Sequence, residues 1–320
     1  MITAITVTGD RTEAFELCRR WMASQTKKID QWIVVDDGFK LLTKELKVGI
    51  DYIRRLPKKD EGHTLLLNLK ESLPYIKGDK ILIIEDDDWY GPEYVKTMSE
   101  YLDKYDLVGE VPSRYYHVPT MKYRRVANTK HASLCQTGFN KILLPKFKEC
   151  LTGDPYLDIR FWEKVKEKKY LFSDTGDKLH LHCGMKGLKG RKGIGTGHNP
   201  KANYYYPDNH LTFLIKWVGE EDAKVYMDHV GQSFESAKLI SFGSSKNSPK
   251  PRIGDKLPKE TAPESKRSRK IVGPKNPVVP LNLRPKRAHP NLRPVKTGGD
   301  FPCSKAIGPD GKRIMPKNWR

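Results

Sequence analysis

The stretch Lys80-Ile-Leu-Ile-Ile-Glu-Asp-Asp-Asp-Trp89 constrains the fold more than any other part of the chain. Four successive apolar residues describe a strand covered on both faces, the kind found inside a parallel sheet flanked by helices. The strand stops abruptly at Glu85, Asp86, Asp87 and Asp88. Open α/β sheets bind ligands beyond the carboxyl ends of their strands, so the run marks a place for a hard divalent cation and the phosphates it carries. A solvated turn, or a helix cap ahead of Gly91-Pro92-Glu93, is the competing structural reading.

The flanking sequence repeats the theme. Ile2–Thr8 is a β-branched strand followed by Gly9, Asp10 and Arg11, and the apolar spacing from Thr12 through Met22 predicts a helix. Gln31–Val35 is a second strand, and it too ends in carboxylates, Asp36-Asp37-Gly38. Two strands with a helix between them, each delivering acids at its carboxyl end, predict a parallel sheet with a ligand crevice on one side. Helices are expected over 64–69 and 93–105, and strands over 107–111 and 139–144. The segment 113–125, dense in Tyr, Arg and His and broken by proline, reads as a loop, either a surface that faces an acceptor or plain loop packing. Asp154 and Pro155 suit the N-cap and first turn of a helix that carries Asp158 on the same face as Asp154. Leu179–His182 is a short alternating strand. Beyond it, Gly184 to His198 interleaves glycines with Lys186, Lys189, Arg191 and Lys192. Flexibility with positive charge suits a lid over a pyrophosphate, and a plain surface loop is the alternative.

The charge of +20 is unevenly placed: residues 241–320 hold 20 Lys/Arg against 5 Asp/Glu, and 13 of the 22 prolines. Such a segment should build no packed core, which sets an expected division into a folded domain at 1–240 and a basic, Pro-rich, irregular tail at 241–320. The near-repeat Asn282-Leu-Arg-Pro285 and Asn291-Leu-Arg-Pro294 spaces cations along an extended segment, as contact with a polyanion requires. A solubilising tail is the bland alternative. There is no long apolar window, so neither a membrane span nor a signal peptide is expected. Five cysteines, odd in number and without CxxC spacing, fit a reduced cytoplasmic setting.

In order along the chain, Val35-Asp36-Asp37-Gly38, Glu85-Asp86-Asp87-Asp88, then Gly153-Asp154-x-x-Leu157-x-x-Arg160 and a distal histidine resemble the GT-A fold glycosyltransferases, in particular family 2-like inverting enzymes. The likeness covers roughly residues 1–235. It implies a UDP-sugar donor with Mn²⁺ or Mg²⁺. By that resemblance Thr8, Asp10, Arg11, Asp36 and Asp37 hold the nucleotide, Asp86 touches the ribose or a metal-bound water, and Asp88 ligates the metal. Either His182 or His198 completes the metal shell, and Lys186, Lys189 and Arg191 close on the phosphates. Asp154 falls at the position of the catalytic base. The family usually has Glu-Asp where this chain has Gly153-Asp154, so Asp158 remains an alternative base.

The cationic tail points to a polyanionic acceptor. The chain is similar in form to soluble enzymes that glycosylate hydroxymethylated pyrimidines in bacteriophage DNA, which implies DNA as partner and a host cytoplasm as location. A protein or polysaccharide acceptor, a nucleotidyltransferase, a catalytically silent DNA-binding protein on the same fold, and a zinc module drawn from His180, His182, Cys183 and His198 are the rivals.

Overall fold

Residues 1–57, 64–152, 156–173, 180–191, 193, 198–199 and 205–239 are described by a computed structural model of the chain. They lie within the unit Met1–Lys250. The expected tail falls outside the described residues.

The chain opens with β1 (Ile2–Thr8), α1 (Thr12–Ala23), β2 (Gln31–Asp36), β3 (Asp51–Arg54), α2 (Thr64–Ser72) and β4 (Lys80–Ile83). It continues through β5 (Trp89–Tyr90), α3 (Tyr94–Leu102), β6 (Leu107–Glu110), β7 (Ser113–His117), β8 (Lys122–Val126) and β9 (Thr137–Asn140). Then come α4 (Leu144–Cys150), α5 (Leu157–Lys164), β10 (Lys169–Phe172), β11 (His182–Lys186), β12 (Tyr206–Pro207), α6 (Thr212–Val218), α7 (Glu220–His229) and α8 (Phe234–Leu239).

Seven strands form the main sheet in the order β10-β6-β9-β4-β1-β2-β3. β3, β2, β1 and β4 pair in parallel, as do β6 and β10, while β9 runs antiparallel between β4 and β6. The carboxyl ends of β1, β2, β3, β4, β6 and β10 therefore share one rim with the amino end of β9. A second sheet, β12-β8-β7-β11-β5, stands beyond that rim, and the acidic turn Glu85–Asp88 is the passage from β4 in the first sheet to β5 in the second.

Strand periodicity explains why the main sheet needs helices on both faces. Trp32 and Val34 of β2, and Leu82 of β4 with Ile84 beyond it, join one core cluster, which α1 fills with Phe15, Cys18, Trp21 and Met22 and α3 with Tyr94, Val95 and Met98. Their neighbours Ile33, Val35, Ile81 and Ile83 join the other, filled by Leu66 and Leu69 of α2, Phe147 of α4, and Phe161 and Trp162 of α5. Burial of each such side chain contributes about 1.5–3 kcal/mol, so both faces are committed.

Three sequence expectations are corrected. The segment 113–126 is the antiparallel hairpin β7–β8, not a loop, and its Tyr115 and Tyr116 pair with β11 and β8. β11 starts at His182, where the expected strand ended, and carries Gly184, Met185 and Lys186 into the second sheet. The expected strand 139–144 ends at Asn140, and the chain turns into α4.

Candidate functional site

Topology alone gathers the chemistry. Thr8, Asp36, Arg54 and Glu85 stand at or just beyond the carboxyl ends of β1, β2, β3 and β4, and Cys135 stands just before β9 on the same rim.

The acidic turn is held from two sides. From the first sheet, the Thr8 hydroxyl donates to Asp86 Oδ2 at 2.7 Å, and the Arg11 guanidinium donates to Asp86 Oδ1 at 2.9 Å and also to Asp87 Oδ2. From β11, the Met185 N–H and the Lys186 ammonium each donate to Asp88 Oδ1 at 3.0 Å, and His182 Nε2 lies 2.9 Å from Asp88 Oδ2. Lys186 also stands 3.7 Å from both Glu85 and Asp87. The ammonium is buried among carboxylates on a strand, not carried on a mobile loop.

Among the described residues, four carboxylates thus face two cations, a formal shortfall of two positive charges when all four are ionised. Burial, together with the Asp88 charge, pushes Glu85 up to about 8. Burial also pushes Asp86 up to about 6, against the pull of Arg11. Asp88 moves the other way: although burial opposes it, Lys186 and the His182 hydrogen bond hold it well below the usual carboxylate range. Asp87 Oδ1 is buried with no hydrogen-bond partner. Donor atoms of Glu85, Asp87 and Asp88 lie within 4.8 Å of one another, and this all-oxygen set with a spare buried acceptor fits a hard divalent cation.

The Asp36–Asp37 turn is closed differently. Asp36 accepts from the Tyr52 hydroxyl at 2.6 Å and from the Gly38 N–H at 2.9 Å, and Arg54 lies 3.5 Å away. Asp37 accepts from Arg55 at 3.0 Å and from Arg191. Against the effect of burial, Arg191 holds the Asp37 carboxyl below its ordinary value. The glycine-bearing segment 187–191 therefore reaches back to the first sheet. Gly190 has φ +111°, and a Cβ there would stand 2.5 Å from the Asp10 carbonyl, which accepts from the Arg191 N–H. Asp10 itself accepts from the Lys40 N–H, and Lys189 makes an exposed pair with Glu13 at 3.5 Å.

The structure thus brings Thr8, Arg11, Asp86, Asp88, His182 and Lys186 into one cluster, and Asp10, Asp36, Asp37 and Arg191 into its neighbour. His198 packs against Gly193, and burial, with Lys186 and Arg11 adding to it, pushes it down to about 4. Asp158 lies in the first turn of α5 and accepts from the Ile159 N–H; burial raises its carboxyl, and that hydrogen bond opposes the rise. Asp154 lies outside the described residues. Sequence reasoning placed Glu85 and Asp87 in the acidic run without giving either a role of its own, and it did not single out Arg55 or Cys135. Only the turn geometry separates spent oxygens from spare ones.

No protein-family model and no curated protein sequence matches the chain. Among solved structures, it is similar to S. aureus TarS at 14% identity and TM-score 0.44, over 58% of this chain and 37% of that one. It is also similar to a TarS fragment in complex with UDP-GlcNAc, at 13% identity and TM-score 0.43 over 74% and 69% of the two chains. A mannosyltransferase from Pyrobaculum calidifontis in complex with GDP-Man and Mn²⁺ aligns at 12% identity and TM-score 0.41, over 63% and 58%. The chain spans little more than a third of the first of these TarS chains.

Proposed function

We propose that this protein is a GT-A-type glycosyltransferase that moves a sugar from a nucleotide diphosphate donor, a UDP-sugar, to a hydroxyl acceptor with inversion. The observation that carries the reading is Asp87 Oδ1, buried without a hydrogen-bond partner beside Glu85 and Asp88, in a cluster that is two positive charges short among the described residues, at the carboxyl rim of a mostly parallel sheet.

Asp87, Glu85 and Asp88 would hold Mn²⁺ or Mg²⁺, which supplies neutralisation of the leaving diphosphate. The protein's own part is positional. Arg11 and Lys186 keep the carboxylates converged, and Thr8 fixes Asp86 towards the rim of β1. Arg191 bonds Asp37 in this structure and is free to turn to a phosphate when a nucleotide competes for that carboxylate. On the acceptor side a carboxylate takes the hydroxyl proton as the new bond forms. Asp154 is the family-like position, and Asp158, whose pKa burial raises, is the alternative.

The acceptor half of the proposal, a hydroxymethylated pyrimidine in DNA, rests only on the charge of residues 241–320. Full-length protein incubated with Mn²⁺, a panel of UDP-sugars and DNA containing 5-hydroxymethylcytosine tests both halves. UDP release with a sugar mass increment on the base supports both. UDP release without change in the DNA removes the DNA acceptor, and no release with any donor removes the transferase reading.

A further inference from the structure

The second sheet has two faces, and the cluster around the acidic turn uses one of them. Lys186 reaches that turn from β11, so Met185, its neighbour along the strand, points to the opposite face. Met185 pairs with Tyr116 and Tyr116 with Tyr123, which puts Tyr123, and Arg125 two residues on, on the opposite face as well. Helix α6 packs there and stacks Phe213 on Tyr123, with ring centroids 3.8 Å apart and planes at 17°. Trp217 meets Tyr123 edge-on at 5.8 Å. Tyr206, on the edge strand β12, stands 5.7 Å from Tyr123 and is 58% exposed, so the stack ends in an open ring.

Positive charge collects beside those rings. Arg125 is exposed on β8 and lies directly across the hairpin from Arg114, a like-charged pairing that costs stability unless something offsets it. Lys216 is exposed on α6, three residues after Phe213, and among the described residues neither Arg125 nor Lys216 has an ion-pair partner. Burial, and then the charges of Arg114, Lys216 and Arg125, push His180 down to about 4, and its Nδ1 is buried without a hydrogen-bond partner. Two acids of the neighbourhood are already engaged. Glu110 pairs with Arg114 at 2.7 Å, and Asp208, 4% exposed, accepts from the Phe213 and Leu214 N–H groups at 3.1 and 3.2 Å. An acidic peptide would answer the cations and leave the open ring unused, and a neutral glycan would do the reverse. Phosphates joined to planar bases use both.

We propose that the face of the second sheet opposite Lys186 binds a single-stranded nucleic-acid segment, with a base stacked on Tyr206 and neighbouring phosphates on Arg125 and Lys216. This surface lies on described residues and owes nothing to the charge of residues 241–320. It holds the strand and does no chemistry, since the acidic turn is on the other face of the sheet. It needs neither a sugar donor nor a divalent cation, so it stands or falls apart from the transferase reading.

The test uses the full-length protein and a labelled oligothymidylate, with affinity followed over a range of salt in the absence of any sugar donor. The three side chains to be changed are exposed, so the variants leave the core alone, and the basic segment 241–320 is present in all of them. Tyr206→Ala should weaken binding roughly 10-fold without changing its salt dependence, and Tyr206→Phe should keep wild-type affinity. Arg125→Ala combined with Lys216→Ala should weaken binding and flatten the slope of log affinity against log salt by about 1.4. The same oligonucleotide carrying 5-iodouracil should crosslink to Tyr206 on irradiation. Crosslinks confined to residues 241–320, or unchanged affinity in Tyr206→Ala, overturn the proposal. So does weakening in the double cation variant alone, which would mark a surface for acidic proteins or other polyanions.

Discussion

The turns after β2 and β4 look alike in sequence, each a run of carboxylates ending an apolar strand, yet they are built to opposite ends. Asp36 and Asp37 are matched by Arg54, Arg55 and Arg191, with Tyr52 and a backbone N–H taking further lone pairs. Among the described residues, Glu85 to Asp88 are paired with Arg11 and Lys186, and Asp87 Oδ1 has no hydrogen-bond partner, Lys186 standing 3.7 Å from it. An acidic run at a strand's carboxyl end is therefore not by itself a cation site. What distinguishes one is a deficit of nearby positive charge, which a proton fills when no cation does. The raised carboxyls of Glu85 and Asp86, against the lowered one of Asp37, register that difference.

The largest expected effect separates the turns by activity. Asp87→Asn keeps the shape but removes the charge of the spare oxygen, and should lower UDP release by roughly 100-fold or more, as loss of a ligand or its close support does. Asp37→Asn should cost less, because its partners are arginines and not a metal. Equal losses in a steady-state assay would erase the distinction.

Stability should divide them next. Arg11→Met leaves two buried carboxylates without their counter-charge, and should cost about 3–5 kcal/mol in urea denaturation. Protonation of Asp86 softens this at low pH.

The pH dependence follows from the same deficit. Glu85 and Asp86 bind protons more tightly folded than unfolded, so their contribution is full below their ordinary values. It is lost as pH rises through about 6 for Asp86 and about 8 for Glu85. Metal-free protein should therefore lose about 1–2 kcal/mol between pH 5 and 8.5, and Mn²⁺ should restore it. A flat profile in both conditions would mean that the cluster carries no charge deficit.

The smallest effect is expected at Arg191→Ala. Its side chain is 38% exposed and pairs with Asp37, so thermal or urea unfolding should move by no more than about 1 kcal/mol.

Much of this was legible in the sequence, for identifiable reasons. β2 and β4 announce themselves because strands covered on both faces carry uninterrupted apolar runs, β1 because it is rich in β-branched residues, and α1 because Phe15, Cys18 and Met22 recur at helical spacing. The acidic rim follows from chain order in a parallel sheet. The β7–β8 hairpin was hidden because Arg114, Tyr115, Tyr116, Arg124 and Arg125 read as polar loop, although Arg114 is buried by its ion pair with Glu110. Lys186 was misplaced for a similar reason: among glycines and cations it looks like lid, and only the pairing of Gly184 with Tyr115 shows it to be strand. Cys135 carries no local signal at all. Its proximity to Asp88 and His182 exists only in three dimensions.

The central claim is that the turn after β4 is a cation site while the turn after β2 is not. Titration of Mn²⁺ into the wild-type protein, Asp87→Asn and Asp37→Asn, with free ion followed by electron paramagnetic resonance, tests it most directly. The account predicts that wild type and Asp37→Asn take up Mn²⁺ alike and that Asp87→Asn does not. Uptake by Asp87→Asn equal to wild type, or its loss in Asp37→Asn alone, would contradict it.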